Sequence, residues 1–239
     1  MPSPPRRRPL PPTSRLPPRP TRPWKSRPPK RRPSTRPKSP LASPPFVGLT
    51  GGIGAGKSEA LAALERLGAA TLSTDAVVHD LYASADVRDA VVERWGEEVA
   101  PAGRTDRAAV ARRAFATPED REWLEGMLWP RVGERIGAWR EEQAAREPAP
   151  RALVVEVPLL FEAGMEAAFD ATLAVVADEA VRRERAGARG HASLDERTAR
   201  QLTQEEKAAR ATYTVANSGT LDDLELTLTG VLEKLEVGK

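Results

Sequence analysis

The 239-residue sequence contains no cysteine. Disulfides, thiol nucleophiles and cysteine-ligated zinc are thereby excluded, and a cytoplasmic setting is suited. Histidine is almost as scarce. His79 and His191 are the two present, too far apart in sequence to form a local metal motif. No apolar run approaches the ~20 residues needed to span a bilayer. The start of the chain also lacks the continuous apolar segment of a secretory signal. These absences predict a soluble protein without membrane contacts.

A further shortage is local. Residues 1–45 contain no Asp or Glu, yet hold 13 Lys/Arg and 17 of the 23 prolines. The net charge of +3 therefore averages a tail of +13 with a remainder, residues 46–239, of −10. Nucleic-acid binding by the folded part does not follow from the basic pI, and none is expected. Repeated proline prevents helix or interior strand, so the tail is expected to be disordered and extended. Three readings of it compete: an electrostatic binder of anionic polymers or membranes, a targeting peptide, or upstream sequence outside the mature protein. The last, or a functionally neutral tail, is favoured because the folded domain starts at Phe46.

From Phe46 onward the chain is organised around Gly51-Gly52-Ile53-Gly54-Ala55-Gly56-Lys57-Ser58. This stretch fills every fixed position of the phosphate-binding pattern G-x-x-x-x-G-K-S. Its flanks fit as well. Phe46 to Thr50 reads as a buried strand, and Leu61, Leu64 and Leu67 share one stripe of a helix that Gly68 can end. Strand, glycine loop and helix are the context the motif requires. Glycines let the main chain wrap a polyphosphate with its N–H groups exposed, and the helix start adds further donors. Lys57 reaches the β- and γ-phosphates, and the Ser58 hydroxyl is a Mg²⁺ ligand. A nucleoside triphosphate and Mg²⁺ are thus the expected cofactors.

Ala69 to Ser73 reads as a second strand, delivering Asp75 to its C-terminal end, where open α/β sheets bind ligands. There Asp75 is either a carboxylate acting on an attacking hydroxyl or simply the N-cap of a helix over 76–82. Residues 76–140 read as almost wholly helical, with most of the tryptophans packing its core. Arg104, Arg107, Arg112, Arg113 and Arg131 are read there as solvated surface residues. Leu153 to Val157 is the clearest buried strand. Glu156 interrupts it, which calls for a cation, water or Mg²⁺ nearby, or an ordinary salt bridge. Thr172 to Val176 is another strand, followed by a helix bearing Arg182, Arg183, Arg185 and Arg189. Arg182 and Arg183 are read as surface. Ser193 is expected to cap a helix reaching about Ala211, Tyr213 to Ala216 to form a short strand, and Thr220 to cap the last helix. Strands alternating with helices predict an α/β fold with a parallel sheet covered on both sides.

The order of these motifs resembles the dephospho-CoA kinase family over nearly all of residues 46–237. The matching pieces are the loop from Leu49 to Ser58, Asp75, Val157-Pro158-Leu159-Leu160-Phe161-Glu162, Arg185 with Arg189, Arg197 with Gln201, Glu206-Lys207, and Asn217-Ser218-Gly219. The resemblance implies transfer of the ATP γ-phosphate to the ribose 3′-hydroxyl of dephospho-CoA. It implies a P-loop three-layer α/β/α fold for residues 46–239, with a helical CoA-binding insert over 76–140 and a helical lid over about 179–200. Asp75 falls on the family's catalytic-base position, Arg185 and Arg189 on the lid, and Asn217 near the adenine. The catalytic set is then Asp75, Lys57, Arg185 and Arg189. The nucleotide set is Gly52, Gly54, Ala55, Gly56, Lys57, Ser58, Glu59 and Asn217, with Ser58 and Glu156 as metal candidates.

Some positions depart from the family pattern. Ser73-Thr74-Asp75 keeps one of two frequent carboxylates, His79 replaces a common arginine, Trp129 precedes Pro130 where histidine is frequent, and Gly190 and Glu59 replace an acid and a Ser/Thr. The nearest rival function is a nucleoside monophosphate kinase of the same fold. A GTPase would show an Asn-Lys-x-Asp motif, which this sequence lacks, and a nucleic-acid binder would depend on the tail. Oligomeric state is not set by the sequence.

Overall fold

The computed structural model describes residues 43–188 and 201–237. Expectations for the tail up to residue 42, for Arg189, Ser193 and Arg197, and for the second half of the expected lid, 189–200, lie outside the described residues.

Phe46–Gly51 forms β1, a run of apolar and small residues with Thr50, buried on both faces. It sits at the centre of a five-stranded, all-parallel sheet of order β2-β3-β1-β4-β5. The other strands are β2 (Ala70–Ser73), β3 (Leu153–Glu156), β4 (Ala171–Val176) and β5 (Tyr213–Ala216). Parallel strands need crossover helices, and these cover both faces. On one face α1 (Lys57–Arg66) and the C-terminal helix, α8 (Leu221–Val237), place Ala60, Leu64, Leu224, Leu228 and Leu232 against Val47, Val154 and Leu173. On the other, Ile136 from α5 (Pro118–Ala144) joins Leu160 and Phe161 against Phe46, Leu153 and Val155. Burying a side chain of this size contributes roughly 1.5–3 kcal/mol. The sheet is therefore the stiff floor of the molecule.

Between β2 and β3 the chain is helical, as expected. α2 (Thr74–Ala83), α3 (Ala85–Trp95), α4 (Arg107–Ala114) and α5 surround two small cores of their own. Trp95 meets Trp123 edge to face there, at 5.0 Å between ring centres. Trp129, by contrast, is half exposed. Asp106 caps α4, accepting from the Ala108 and Ala109 N–H groups at 2.9 and 3.1 Å. α5 continues as one helix through Pro130. α6 (Glu179–Ala188) follows β4, and α7 (Gln204–Arg210) precedes β5. No helix among the described residues is long and apolar enough to cross a membrane.

Two local expectations are corrected. Ser73, not Asp75, occupies the N-cap of α2, so Asp75 lies inside the first turn and the capping alternative falls. The helix expected to reach Ala211 from Ser193 is not continuous, since residues 201–203 are not helical. Thr203 starts α7 with a capping box: Thr203 Oγ1 accepts from the Glu206 N–H, and Glu206 Oε2 accepts from the Thr203 N–H. That Thr-x-x-Glu spacing was readable as a helix start.

Candidate active site

The loop between β1 and α1 owes its shape to glycine. Gly54 and Gly56 have φ of +76° and +87°, a region costing L-residues about 1–2 kcal/mol. Space forbids a side chain as well. A Cβ on Gly54 would lie 2.5 Å from the Arg182 carbonyl oxygen, and one on Gly56 would lie 2.0 Å from Asn217 Nδ2. α1 has no side-chain cap, so the N–H groups of its first turn, from Lys57 to Glu59, are not claimed by a capping side chain. These donors and the helix dipole favour an anion at that point. Lys57 bends back over the loop, donating to the Gly51 and Gly52 carbonyls at 3.1 and 3.2 Å. Ser58 is exposed beside it. The Glu59 side chain turns towards Arg66, 3.6 Å away, so only its main chain faces the loop side of this arrangement.

Three side chains from two elements brace the loop from the far side. Asn217, buried after β5, donates from Nδ2 to the Ala55 carbonyl at 3.0 Å. Arg185 of α6 donates to the Asn217 carbonyl at 3.0 Å, and its Nη1 is 3.2 Å from the point a Gly56 Cβ would occupy. Arg182, one turn earlier, donates from Nε to the Ile53 carbonyl at 3.0 Å. The surface reading of Arg182 is thus corrected: α6 lies against the loop, and the i, i+3 spacing of Arg182 and Arg185 was the available signal. Arg183 is a surface residue, paired with Glu179 on its own helix. Beside the loop a cavity of about 470 Å³ opens between Gly52, Arg182, Gln201 and Gln204.

Asp75 and Glu156 stand at neighbouring strand ends. Ser73 is in register with Glu156, and Glu156 with Leu49, so β2, β3 and β1 finish side by side. Alternation along β3 puts Glu156 on the face of Val154, the face that α1 covers. Glu156 is buried at 6 % exposure and has no hydrogen bond or ion pair among the described residues. The exposed Asp75 carboxylate likewise has no partner among them. No group of three or more acidic or histidine side chains among the described residues is arranged to hold a metal. A Mg²⁺ ion does not need one, because it commonly takes one or two protein oxygens and completes its shell with phosphate and water.

Beneath the site, Lys207 is fully buried. Its Nζ donates to the Pro158 carbonyl at 2.6 Å and pairs with Glu162 Oε1 at 3.0 Å. The Thr50 hydroxyl donates to the same carbonyl at 3.2 Å, and Glu162 Oε1 also accepts from the Leu202 N–H at 2.9 Å. Gln204 brackets Ala177, donating to its carbonyl and accepting from its N–H. The Pro-Leu-Leu-Phe-Glu and Glu-Lys motifs, 45 positions apart between Glu162 and Lys207, are therefore halves of one joint between β1, β3 and α7.

The family model for dephospho-CoA kinase matches residues 45–223. The chain belongs to the dephospho-CoA kinase family. It is 39 % identical over 207 residues to a dephospho-CoA kinase of Deinococcus radiodurans, covering 85 % of this chain and 98 % of that one. A Thermus thermophilus dephospho-CoA kinase is 37 % identical, covering 82 % and 94 %. A crystal structure of a Thermus thermophilus protein superposes with a TM-score of 0.67 at 36 % identity, covering 81 % of this chain and 99 % of that one. A dephospho-CoA kinase from Campylobacter jejuni shares the fold, with a TM-score of 0.55 at 20 % identity over 81 % of this chain and 98 % of that one. The chain is thus an enzyme of the P-loop kinase class, a class that binds nucleotide.

Proposed function

We propose that this enzyme transfers the γ-phosphoryl group of ATP to the ribose 3′-hydroxyl of dephospho-CoA, giving coenzyme A and ADP. The observation that carries the reading is the common edge where β2, β3 and β1 end, bringing Asp75, Glu156 and the glycine loop to adjacent positions in a member of this family. The hydroxyl oxygen attacks the γ-phosphorus, the bond from that phosphorus to the β–γ bridging oxygen breaks, and ADP leaves with the electron pair. Asp75 accepts the hydroxyl proton and aims the oxygen in line. A partnerless carboxylate at a strand end suits that task.

The nucleotide lies in the cradle of Gly52, Gly54, Ala55, Gly56, Lys57, Ser58 and Glu59, the last through its main chain. Lys57 exchanges its loop carbonyls for the β- and γ-phosphates. Asn217 holds Ala55 and keeps its loop beside the adenine. Ser58 and Glu156 would hold Mg²⁺, which supplies charge neutralisation on the phosphates. Arg185 would leave the Asn217 carbonyl to meet the transferred group, the role proposed also for Arg189, which lies outside the described residues, and Arg182 fixes the start of that helix to the loop. The insert, 76–140 within a kinase domain of 46–239, receives the acceptor. A cytoplasmic location, where ATP is supplied, is part of the same proposal.

The test is ADP release measured with dephospho-CoA against AMP, CMP and GMP as acceptors. Dephospho-CoA is expected to be preferred by orders of magnitude. A preference for any of the monophosphates would make the enzyme a nucleoside monophosphate kinase instead.

A further inference from the structure

The helical insert contains a second cationic site that the glycine loop does not use. A cavity of about 190 Å³ opens beside α2 and the segment 103–107. Its charged lining is wholly basic, made of Arg88, Arg104, Arg107 and His79, with Tyr82 and Thr105 in the wall. Two of these arginines lack a carboxylate partner among the described residues, as Arg112 and Arg135 also do, but only these two line a cavity that carries no acidic side chain. Elsewhere in the insert Arg94, Arg113 and Arg131 each meet a carboxylate, on Asp120, Glu98 and Asp86. At the cavity Arg88 is bound to Asp89, but no carboxylate among the described residues pairs with Arg104 or Arg107.

Arg107 is held in another way. Its Nη1 lies 2.9 Å from His79 Nδ1. A guanidinium only donates, so Nδ1 accepts and the imidazole is neutral in this contact, with its proton on Nε2. His79 therefore aims Arg107 without cancelling its charge. The Thr105 hydroxyl is buried with no partner among the described residues, a polar group waiting for a ligand atom. Burial pushes the Tyr82 phenol up against the opposing pull of Arg107, leaving it a neutral donor at neutral pH.

The position of the cavity fits the acceptor. His79 follows Asp75 by four residues on α2, hence on the same helix face and about 6 Å further along the axis. In a nucleotide carrying a 5′-diphosphate, the single ring carbon C4′ separates the carbon bearing the 3′-hydroxyl from the 5′-arm. A ribose whose 3′-hydroxyl meets Asp75 can thus send its diphosphate one helical turn along α2. We propose that this cavity is the diphosphate subsite for the acceptor, with Arg104 and Arg107 paired to the phosphoryl oxygens and Thr105 donating its hydroxyl. Guanidinium groups suit the task because their forked donors match phosphoryl oxygens two at a time. The inference rests on dephospho-CoA being the acceptor, and it reverses the surface reading of these two arginines.

The experiment is steady-state kinetics of the full chain and its Arg104→Gln and Arg107→Gln variants at saturating ATP. Inorganic diphosphate serves as the probe inhibitor. Each variant is expected to raise KM for dephospho-CoA roughly 10- to 100-fold, the scale of a hydrogen bond to a charged group. The loss falls on KM rather than kcat, and KM for ATP is unchanged. Diphosphate should compete with dephospho-CoA in the wild-type enzyme and weaken in parallel in both variants. Arg104 is exposed and its side chain has no partner among the described residues, so its variant keeps the fold even if Arg107→Gln does not. An unaltered KM in Arg104→Gln, or equal inhibition of all three proteins by diphosphate, overturns the subsite. A wild-type enzyme inactive on dephospho-CoA overturns the functional reading instead, which separates the two failures.

Discussion

The two ends of this site are assembled by opposite means. At the nucleotide end, main-chain geometry does most of the work: left-handed glycines, an uncapped helix start, and carbonyls held by Asn217, Arg182 and Lys57. Beneath it lies an ion pair whose lysine is fully buried and whose glutamate is largely so. At the proposed acceptor end, side chains from α2, α3, the segment before α4 and the start of α4 converge, and the ion pairs around them are exposed. The nucleotide side is held by hydrogen bonds to main-chain carbonyls and by a pair with a fully buried lysine. The acceptor side stands on small helical cores and exposed pairs that individually contribute about 0–1 kcal/mol. Disturbing the first should therefore be felt in stability and nucleotide affinity, and disturbing the second mainly in the handling of dephospho-CoA.

The largest effect is expected at Lys207. Lys207→Met leaves the largely buried Glu162 carboxylate without its cation and should cost about 3 kcal/mol of stability, the lower end for breaking a buried pair, read by urea unfolding. A loss under 1 kcal/mol would contradict the view that this joint underlies the nucleotide end. Next is Gly56→Ala. The left-handed backbone and the contact with Asn217 Nδ2 should cost on the order of 1–3 kcal/mol, seen as roughly 10- to 100-fold weaker ATP binding by calorimetry. KM for dephospho-CoA should hardly move; an equal loss for both substrates would break the division between the ends.

Asp106→Ala tests the other end. Removing this cap should destabilise α4 by about 1 kcal/mol and weaken dephospho-CoA more than ATP, since Arg107 is the first residue of that helix. The smallest effect concerns acid. Hydrogen bonds from Arg94, then from Trp95 and Thr117, hold the Asp120 carboxyl below its ordinary value. A carboxyl depressed by folding stabilises above its unfolded pKa of about 4 and loses that contribution as pH falls through the folded value. The melting temperature should thus slip below about pH 4, and by less in Asp120→Asn. Identical pH profiles would show that this pair does not anchor α5 to α3.

Legibility in the sequence divides along the same line. The glycine loop is contiguous and its dihedral demands are written into the residues, so strand, loop and helix could be read directly. Parallel strands follow from their alternation with helices, and Asp75 from its place after β2. Lys207 could not be read, because a lysine within a polar helix looks solvated and its burial depends on where Glu162 and Pro158 fold. Arg182 was signalled only by its i, i+3 spacing from Arg185, because its partner, the Ile53 carbonyl, lies 129 residues away. The cavity at Arg104 and Arg107 was least accessible. It depends on a histidine from one helix aiming an arginine from another, and no local pattern encodes that meeting. The start of α7 was readable at Thr203 and Glu206, but the stronger apparent cap at Ser193 obscured it.

The central claim is that Asp75 completes a pre-formed nucleotide cradle as the proton acceptor for the incoming hydroxyl. The direct measurement is single-turnover phosphoryl transfer by Asp75→Asn, with ATP binding measured on the same protein. The account predicts ATP affinity near that of the wild-type enzyme and a transfer rate lower by roughly 10²- to 10⁴-fold. An unchanged transfer rate would contradict it.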